Sequence, residues 1–540
     1  MKQFLLFTLI TCLLFAVAAC APQPEVPQGP SYPTDPETGE ILLQGVGAPV
    51  ANDGNERVFY QVFVGSFSDS DGDGIGDLRG LINRFDYLND GDPTSGKSLG
   101  IEGIWLNPIF LSPSYHKYDT MDYYAIDHRF GTEEDLRELI QLCHERDVKI
   151  ILDLVINHTS NQHPWYSQFR TAHQNGDTEN PYYDYYTHAD APISGRTFNV
   201  IQGAADFYEC NFASNMPELN FDNETVRQEM VALAKTYLDM GVDGFRFDAA
   251  KYIYFGEETK NAEFWKWYMA ELRAIKPDIY TVAEVWDADS VALPYFAATN
   301  CFNFSMSQQN GYIARAAKGG RVGILTGYMQ DYLLRIKEQN PDAMPITFIT
   351  NHDMDRAAGF LTVFNGQAQM AANLSILLPG SSFIYYGEEI GLKGSRGSAS
   401  TDANRRLAML WGDGDTVKDP VGTTYKMEQT NGTVADQLGK VNSLYNHYKK
   451  VIAIRKAHPE IAKGTFQSLE IKNTKIGGFI STLEGSSVVV LHNNTEESVQ
   501  IDLSQVNLPC DEISAYVGMG EVTLEGNILT IAALTSVVLK

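Results

Sequence analysis

The segment KIILDLVINH, residues 149–158, constrains the fold of this chain more than any other stretch. It is a continuous apolar run that ends in two polar residues, Asn157 and His158. A strand that is apolar on both faces is buried on both faces, which is typical of a parallel sheet covered by helices. The polar residues at its end are then delivered to the carboxyl edge of the sheet, where α/β folds carry their chemistry.

The same pattern of strand, loop and helix recurs eight times between Arg57 and His458. Eight such units predict an α/β fold, a (β/α)8 TIM barrel with insertions. The predicted strands are the runs at 57–67, 100–110, 149–158, 244–251, 278–286, 301–306, 345–353 and 381–390.

Two segments do not follow this repeat. Residues 159–220 are rich in Tyr, Asn, His and Asp and have no helical or strand periodicity, so we predict an irregular inserted domain there. The barrel then comprises residues 57–158 and 221–460. Residues 461–540 hold short alternating runs separated by turn residues, which predict a C-terminal antiparallel β-sandwich domain.

The N-terminus has the features of an export signal. In residues 1–19, Lys2 precedes an apolar run that is too short to span a membrane. The sequence VAAC at 17–20 resembles the lipobox of bacterial lipoproteins, which makes Cys20 the lipid-modified first residue; ordinary cleavage after small residues is the alternative. The Pro-rich residues 20–56 are then a tether. We expect an exported lipoprotein at the cell surface that touches the membrane only through its anchor.

The charge balance narrows the range of partners. The chain has 68 acidic and 41 basic residues, a net charge of -27, which disfavours nucleic acid and anionic membranes and favours a neutral substrate. We expect a monomer. The cysteines beyond the signal are scattered and predict neither a metal site nor a disulfide framework: Cys143, Cys210, Cys301 and Cys510.

An acidic loop, DSDGDGIGD at 69–77, follows the first predicted strand. Carboxylates at alternate positions with glycines between them can turn onto one hard cation, as calcium requires. The loop is not an EF-hand, because a strand precedes it and Gly80 stands at the twelfth position. We predict a structural calcium ion here; a solvated acidic turn is the alternative.

Polar side chains end several predicted strands, and in a barrel these ends converge on one pocket. Glu284 follows Asp248 by 36 residues and Asp353 follows Glu284 by 69, which match one and two repeats of about 31 residues. The residues at these ends are Asp153, Asn157, His158, Arg246, Asp248, Glu284, His352 and Asp353.

Two carboxyl groups across a cleft are what cleavage of a glycosidic bond requires. At a separation of about 5 Å, one attacks the anomeric carbon and the other protonates the leaving oxygen, so that configuration is retained. Asp248 suits the nucleophile, because the nearby Arg246 favours its ionised form. Glu284 suits the acid, because its apolar neighbours raise the pKa of a carboxyl group. From these residues alone, the alternative is that Asp248 has no catalytic role and forms a structural ion pair with Arg246 among the side chains that fill the barrel.

Five motifs resemble, in order, the characteristic short stretches of the α-amylase family, glycoside hydrolase family 13. They are DLVINH at 153–158, MPELN at 216–220, GFRFDAAK at 244–251, EVW at 284–286 and FITNHD at 348–353. The resemblance extends over about residues 57–540 and implies that the insertion at 159–220 is the B domain of that family. The acidic loop combined with MPELN resembles the intermediate group, which includes bacterial lipoprotein amylases.

The resemblance also implies a role for individual residues. Asp248 is implied as the nucleophile, Glu284 as the acid/base, and Asp353 as a third carboxylate that grips substrate hydroxyls and stabilises the transition state. The implied substrate-binding residues are His116, Tyr118, His158, Arg246, Lys251 and His352. The implied calcium ligands are Asp69, Asp71, Asp73, the carbonyl of Ile75, and Asp77. The alternatives are structural roles for Asp153 and Asn157 and a surface position for Lys251.

Two residues favour cleavage of internal α-1,4 bonds. Ala249 stands where α-1,6-specific members tend to have valine, and Tyr115 stands where exo-acting glucosidases place an aspartate. Lys117 and Tyr252 depart from the amylase pattern, which leaves the product profile open. We predict an α-amylase acting on starch-like α-glucans and maltooligosaccharides. The second hypothesis is an α-glucosidase, neopullulanase-like enzyme or transglycosylase of the same family; the third, a non-catalytic sugar-binding barrel, is disfavoured because all three carboxylates are present.

Overall fold

The computed structural model describes residues 46–469, 471, 475–506 and 508–540. The predicted signal at 1–19, the lipidation site Cys20 and residues 20–45 of the predicted tether lie outside the described residues. Within the described part of the chain, no helix combines the length and apolar character needed to cross a bilayer.

Eight parallel strands form the barrel, in the order β6-β5-β4-β3-β2-β1-β8-β7. A parallel bridge between Phe302 and Ile346, and the hydrogen bond from the Asn303 amide to the Ile346 carbonyl (2.9 Å), join the outermost strands and close the sheet. The predicted TIM barrel is therefore confirmed. The strands are β1 (Val58–Val62), β2 (Gly103–Leu106), β3 (Lys149–Leu154), β4 (Gly244–Phe247), β5 (Tyr280–Ala283), β6 (Asn300–Cys301), β7 (Ile346–Phe348) and β8 (Ser381–Tyr385).

The strands are shorter than the sequence predicts, and the largest error is at β6. The prediction of a strand over 301–306 is wrong beyond Cys301, because the chain turns at Asn303, whose side-chain oxygen accepts the Met306 amide (3.2 Å). Gly244 begins β4 where a Cβ atom would lie 1.7 Å from the Tyr280 carbonyl oxygen. Glycine therefore permits the close approach of β4 and β5, the two strands that carry Asp248 and Glu284.

Helices surround the barrel and cap its ends. The predicted capping box is confirmed: Thr132 accepts the Asp135 amide, and the helix that follows buries its apolar face. The left-handed Gly241 ends another helix, as predicted. The helices are Leu78–Asn83, Phe85–Leu88, Glu133–Glu145, Pro164–Asn175, Glu224–Met240, Glu258–Ile275, Asp289–Ala292, Tyr312–Ala317, Val322–Gln339, Gln367–Ile376, Val434–Leu438, Leu444–Ala457 and Pro459–Lys463.

The inserted segment is more regular than predicted. It contains the helix Pro164–Asn175, which His163 caps at its start and the left-handed Gly176 ends, so the prediction of no periodicity is wrong there. The insertion also holds a small antiparallel sheet of His188–Ala189, Phe198–Val200 and Phe207–Glu209. A separate two-stranded sheet, Phe110–Leu111 with Asp122–Ile126, precedes it.

The C-terminal residues form two antiparallel sheets, which confirms the predicted β domain. The larger has the strand order β9-β10-β11-β16-β13 and the smaller β12-β15-β14. Apolar side chains from both sheets, including Val489, Leu529 and Val537, pack in one cluster, as in a sandwich. The strands are β9 (Thr465–Leu469), β10 (Ile476–Leu483), β11 (Ser486–Asn493), β12 (Val499–Asp502), β13 (Ile513–Gly518), β14 (Val522–Glu525), β15 (Ile528–Ile531) and β16 (Thr535–Leu539).

Candidate active site

A strained turn follows β4 and joins two of the predicted catalytic residues. Asp248 comes directly after the strand, and Ala249 has a left-handed backbone conformation (φ 48°), which is uncommon for a residue other than glycine. The turn points the Ala249 amide at Glu284, which accepts a hydrogen bond through Oε2 (3.1 Å). The Ala250 amide bonds the Glu284 carbonyl (3.1 Å). Backbone strain of this kind clusters at functional sites.

One buried guanidinium, that of Arg246, binds carboxylates from three neighbouring strands, β3, β4 and β5. Arg246, 1% exposed, donates through Nη1 to Asp153 (2.8 Å) and Asp248 (2.7 Å), and its Nη2 lies 3.0 Å from Glu284 Oε2. The same guanidinium lies over the ring of Trp105, 5.2 Å from its centroid. Because neighbouring nitrogen atoms of one group bind Asp248 and Glu284, the two carboxyl groups flank a single position, as glycosidic cleavage requires.

Burial acts in the same direction on both carboxyl groups of this pair. It raises the pKa of Glu284 and of Asp248, while Arg246 opposes the shift in each case. The predicted rise for Glu284 agrees with this. Arg246 favours the ionised form of Asp248, as predicted, but burial outweighs it and the net shift of the Asp248 pKa is upward. Two neighbouring buried carboxyl groups favour a state with one proton between them, because both anions together are destabilised.

Asp353 lies in a different electrostatic environment. It follows β7, accepts a hydrogen bond from Arg406 Nη2 through Oδ1 (2.7 Å), and its Oδ2 lies 3.0 Å from His352 Nε2. Burial opposes ionisation, but His352 and Arg406 together hold the pKa of Asp353 well below its ordinary range. Because its pKa is low, this carboxylate is ionised at pH 7. Its side chain is 27% exposed, so it is also open to the cleft.

Tyr118 and His352 form a flat surface beside these carboxylates. Their rings are parallel (2°) with centroids 5.4 Å apart, and the Tyr118 hydroxyl donates to Asp153 (2.8 Å). The Gln61 amide nitrogen contacts His352 Nδ1 (2.8 Å), which places the histidine proton on Nε2, facing Tyr118 and Asp353. Burial lowers the pKa of His352 to about 4, so the ring is neutral at pH 7.

His116 and His158 hold the backbone of Tyr118 in place. His116 Nδ1 accepts the Tyr118 amide (3.1 Å), and His158 Nε2 lies 3.2 Å from the Tyr118 carbonyl. Burial lowers the pKa of each histidine to about 4. His158 is 2% exposed and also contacts Asn157 and the ring of Phe212, whereas His116 is partly open. The structure thus brings these two predicted residues to the same place as the carboxylates.

Lys251 lies further out, at the rim. Its ammonium group donates to the Trp286 carbonyl and to Asp287, both at 2.9 Å. It therefore links the turn after β4 to the turn after β5. The contact fixes the position of Trp286, which is 40% exposed.

Lys117, which departs from the amylase pattern, does not face the cleft. Its backbone is left-handed (φ 67°), the conformation that a glycine would adopt without strain. Its buried ammonium lies 2.6 Å from Asp127 Oδ2 and over the ring of Phe130. Lys117 therefore anchors the loop that carries Tyr118 through a buried contact that does not face the cleft.

Replacing Lys117 with methionine is expected to lower the free energy of unfolding by about 3 kcal/mol, since it leaves a buried carboxylate with Arg129 as its remaining cation. Denaturant titration measures this. Lys235→Met is the matched control, because its ion pair is exposed and contributes at most about 0.5 kcal/mol. Equal stability of Lys117→Met and the wild type would contradict the proposed anchoring.

Sequence reasoning missed Arg406. Besides Asp353, it contacts the His352 carbonyl through Nε (3.1 Å) and the Tyr115 hydroxyl through Nη1 (3.2 Å), and it is 4% exposed. Its neighbour Arg405 donates to the Asp353 carbonyl (2.7 Å). The available signal was the arginine pair in the loop after the eighth strand, a position at which barrels carry functional residues.

Part of the predicted calcium loop also converges. Asp69, Asp71 and Asp77 each offer a carboxylate oxygen, and these atoms lie within 4.8 Å of one another. Asp73 is not among these three residues; its Oδ1 accepts the Ile75 amide (2.6 Å). Three convergent carboxylates fit a hard cation such as calcium.

Comparisons with known proteins agree with this geometry. Residues 61–464 match the family model described as "Alpha amylase, catalytic domain". The chain is 38% identical over 442 residues to α-amylase 3 of Dictyoglomus thermophilum, covering 81% of this chain and 84% of that protein. It is 34% identical over 351 residues to a 4-α-glucanotransferase of Thermotoga maritima, covering 62% and 72%. The solved structure of Eubacterium rectale Amy13B superposes with a TM-score of 0.85 at 35% identity, covering 92% and 98%.

Proposed function

Because this chain belongs to the α-amylase family of glycoside hydrolases and transglycosylases, we propose that it hydrolyses internal α-1,4-glucosidic bonds of starch-like glucans and maltooligosaccharides. The observation that carries the proposal is the Arg246 guanidinium, which binds Asp248 and Glu284 through adjacent nitrogen atoms beside the ionised Asp353. This arrangement supports the roles of Asp248 as nucleophile, Glu284 as acid and Asp353 as stabilising anion.

The reaction proceeds by double displacement. Asp248 attacks the anomeric carbon while Glu284 gives its proton to the leaving oxygen, which forms a glycosyl-enzyme. Glu284 then takes a proton from water, the water attacks the anomeric carbon, and Asp248 leaves with overall retention of configuration. Glu284 suits the acid role because burial raises its pKa, which favours the protonated form that must donate to the leaving oxygen.

The surrounding residues stabilise the positive charge that develops on the sugar ring. Asp353 remains ionised and Asp153 shares Arg246, so the pocket retains negative charge. His352 is neutral and adds no competing positive charge. Electrostatic preorganisation of this kind contributes strongly to catalysis. The Tyr118 ring offers an apolar face to the sugar.

Tyr115 supports endo-acting cleavage. It is half-buried, and its hydroxyl accepts from Arg406, in the place where an aspartate would form an ion pair that closes the pocket. An aromatic ring at this position offers a surface on which a further sugar can pack. Transfer to a sugar acceptor is the second candidate, because the relative from Thermotoga maritima is a 4-α-glucanotransferase.

A time course of products from soluble starch and from pullulan tests the proposal. Early release of mixed maltooligosaccharides from starch, with little cleavage of pullulan, is expected. Glucose alone from the start would indicate an exo-acting α-glucosidase, and panose from pullulan a neopullulanase-like enzyme. Longer products from maltotriose would indicate transfer, and sugar binding without any cleavage would indicate a non-catalytic barrel.

The pH profile is expected to depend on Glu284. Because burial raises the pKa of Glu284, kcat/KM on maltooligosaccharides should fall only as pH rises well above the ordinary carboxyl range of about 4.3, when the acid loses its proton. In Glu284→Gln, kcat/KM on an aryl maltoside with a good leaving group should lose this alkaline limb and keep the acid limb. An unchanged alkaline limb in that variant would contradict the assignment.

We also propose that Asp69, Asp71 and Asp77 hold a calcium ion that stabilises the fold. A ligand at 100 times its dissociation constant contributes about 2.7 kcal/mol, so a chelator is expected to lower the melting temperature. In Asp71→Asn the melting temperature should respond less to the chelator, whereas the exposed Asp342→Asn, remote from the loop, should respond fully. The same melting temperature for the wild type with and without chelator would contradict this proposal.

We further propose that the chain is an exported monomer anchored through a lipid on Cys20. The last residues of the predicted tether pack against the domain, since the Val50 amide bonds the Lys456 carbonyl (2.9 Å). They lead into β1 at Val58, on the barrel face opposite the active site. An anchor attached on that side would leave the active-site cleft facing away from the membrane. Fractionation tests the anchor, since Cys20→Ala should release the protein from the membrane fraction. Size-exclusion chromatography tests the monomer.

A further inference from the structure

Hydrogen bonds join two segments that lie far apart in the chain: residues 66–74, which follow β1, and residues 406–418, part of the excursion at 393–431 that follows β8. We propose that calcium bound in the acidic loop holds these segments together and thereby fixes Arg406 against Asp353. Loss of the ion then slows catalysis as well as lowering stability. The inference rests on the proposed calcium site and on the proposed hydrolysis.

Asp69 is the point at which the acidic loop meets the excursion. Its Oδ2 accepts the Thr416 hydroxyl (2.6 Å), and its amide donates to Asp415 Oδ1 (3.2 Å). The Asp415 side chain is 4% exposed, and its Oδ2 accepts the Ser68 hydroxyl (2.6 Å). Asp415 and Thr416 are therefore the positioning residues through which an ion bound to Asp69 acts on the excursion.

Ser66 extends this contact to Arg406. Its buried hydroxyl donates to the Arg406 carbonyl (2.7 Å), and its own carbonyl accepts the Met409 amide (2.8 Å). The buried indole of Trp411 donates to the Phe67 carbonyl (2.6 Å). Since the Arg406 guanidinium binds the third carboxylate of the active site, a shift of this segment moves a group that keeps that carboxylate ionised.

The acidic loop requires positive charge to keep this shape. The carboxylates of Asp69, Asp71 and Asp77 offer oxygen atoms within 4.8 Å of one another, so they repel when no cation lies between them. Asp415 adds a fourth negative charge beside Asp69, and Arg84 lies 3.1 Å from it. Removal of calcium therefore weakens the contact between the loop and the excursion.

Hydrogen exchange with and without calcium tests this contact independently of activity. The Met409 and Lys418 amides donate to the carbonyls of Ser66 and Gly74, so their exchange reports local opening of the contact. Well below the melting temperature, a chelator is expected to speed exchange in the peptides that contain these two amides roughly fivefold. Exchange in β15 of the C-terminal domain should not change.

Substitution of Thr416 separates the link from the ion itself. Thr416→Val keeps the shape of the side chain but removes the hydroxyl that donates to Asp69. Its kcat on soluble starch is expected to fall roughly fivefold, the effect of one hydrogen bond, while calcium still raises its melting temperature. Thr416→Ser keeps the hydroxyl and should keep the wild-type kcat. Thr423→Val is the matched control: this hydroxyl donates to the Pro420 carbonyl within the same excursion (2.8 Å), and kcat should not change.

The outcomes distinguish this inference from the proposals on which it rests. A melting temperature that rises with calcium, while exchange at Met409 and Lys418 stays the same, would overturn the inference alone. An equal loss of kcat in Thr416→Ser and Thr416→Val would also overturn it. A melting temperature that does not respond to calcium would overturn the calcium proposal and the inference together. Failure of the wild type to cleave starch would overturn the proposed hydrolysis instead, because exchange does not depend on activity.

Discussion

Replacing Asp248 with asparagine is expected to lower kcat on soluble starch by about 10⁴-fold or more. Asparagine has nearly the same shape and can still accept a hydrogen bond from Arg246, but it cannot form the glycosyl-enzyme. Initial rates of reducing-sugar release at saturating starch measure the loss, with protein purified free of host amylase.

The stability of the same variant distinguishes a chemical role from a structural one. Asp248 lies in a buried group with Asp153, Glu284 and Asp353, so removal of one negative charge relieves repulsion. The melting temperature of Asp248→Asn is expected to equal or exceed that of the wild type, as is common when a functional charge is removed. A rate within tenfold of the wild type, or a collapse of stability, would contradict the assignment of Asp248 as nucleophile.

Replacing Arg246 with methionine is expected to remove activity and also to lower the free energy of unfolding by about 3–5 kcal/mol. Methionine fills similar space but leaves Asp153, Asp248 and Glu284 buried without the guanidinium that they share. These carboxyl groups already have raised pKa values in the folded wild type, and the loss of the guanidinium raises them further. The deficit relative to the wild type should therefore be small at acidic pH, where the groups are protonated in both proteins, and should grow as pH rises through the wild-type folded pKa values.

Denaturant titrations of Arg246→Met at acidic and at mildly alkaline pH measure this dependence. Arg79→Met is the control, because Arg79 contacts two carboxylates, Asp135 and Glu138, but its side chain is 39% exposed. The Arg79→Met substitution should lower the free energy of unfolding by about 1 kcal/mol or less. If both variants lose the same amount of stability, the buried network is not what holds the strand ends together.

Most of the fold follows from local sequence patterns. Each barrel strand is a short apolar run, and the pattern of KIILDLVINH specifies both the burial of β3 and the edge at which His158 emerges. Capping residues such as Thr132 and left-handed glycines such as Gly241 act within a few residues of the chain. The alignment of Asp248 with Glu284 followed from the repeat length, because adjacent parallel strands end at the same edge.

The features that sequence reasoning missed depend on distant contacts. Arg406 binds Asp353 from the excursion after β8, a segment with neither apolar periodicity nor a recognised motif. The direction in which Lys117 points was set by its partner Asp127, and only the fold brings the two together. The pKa of Asp248 likewise depends on how deeply the assembled barrel buries it, as well as on its neighbour Arg246.

Trapping the glycosyl-enzyme tests most directly whether Asp248 is the nucleophile. A maltosyl fluoride that carries a further fluorine on the sugar ring slows hydrolysis of the intermediate, and mass spectrometry of the digested protein then locates the attached sugar. A covalent maltosyl group is expected on the peptide containing Asp248, and on no other peptide. Turnover of the fluoride without a labelled peptide, or a label on Glu284 or Asp353, would contradict attack by Asp248.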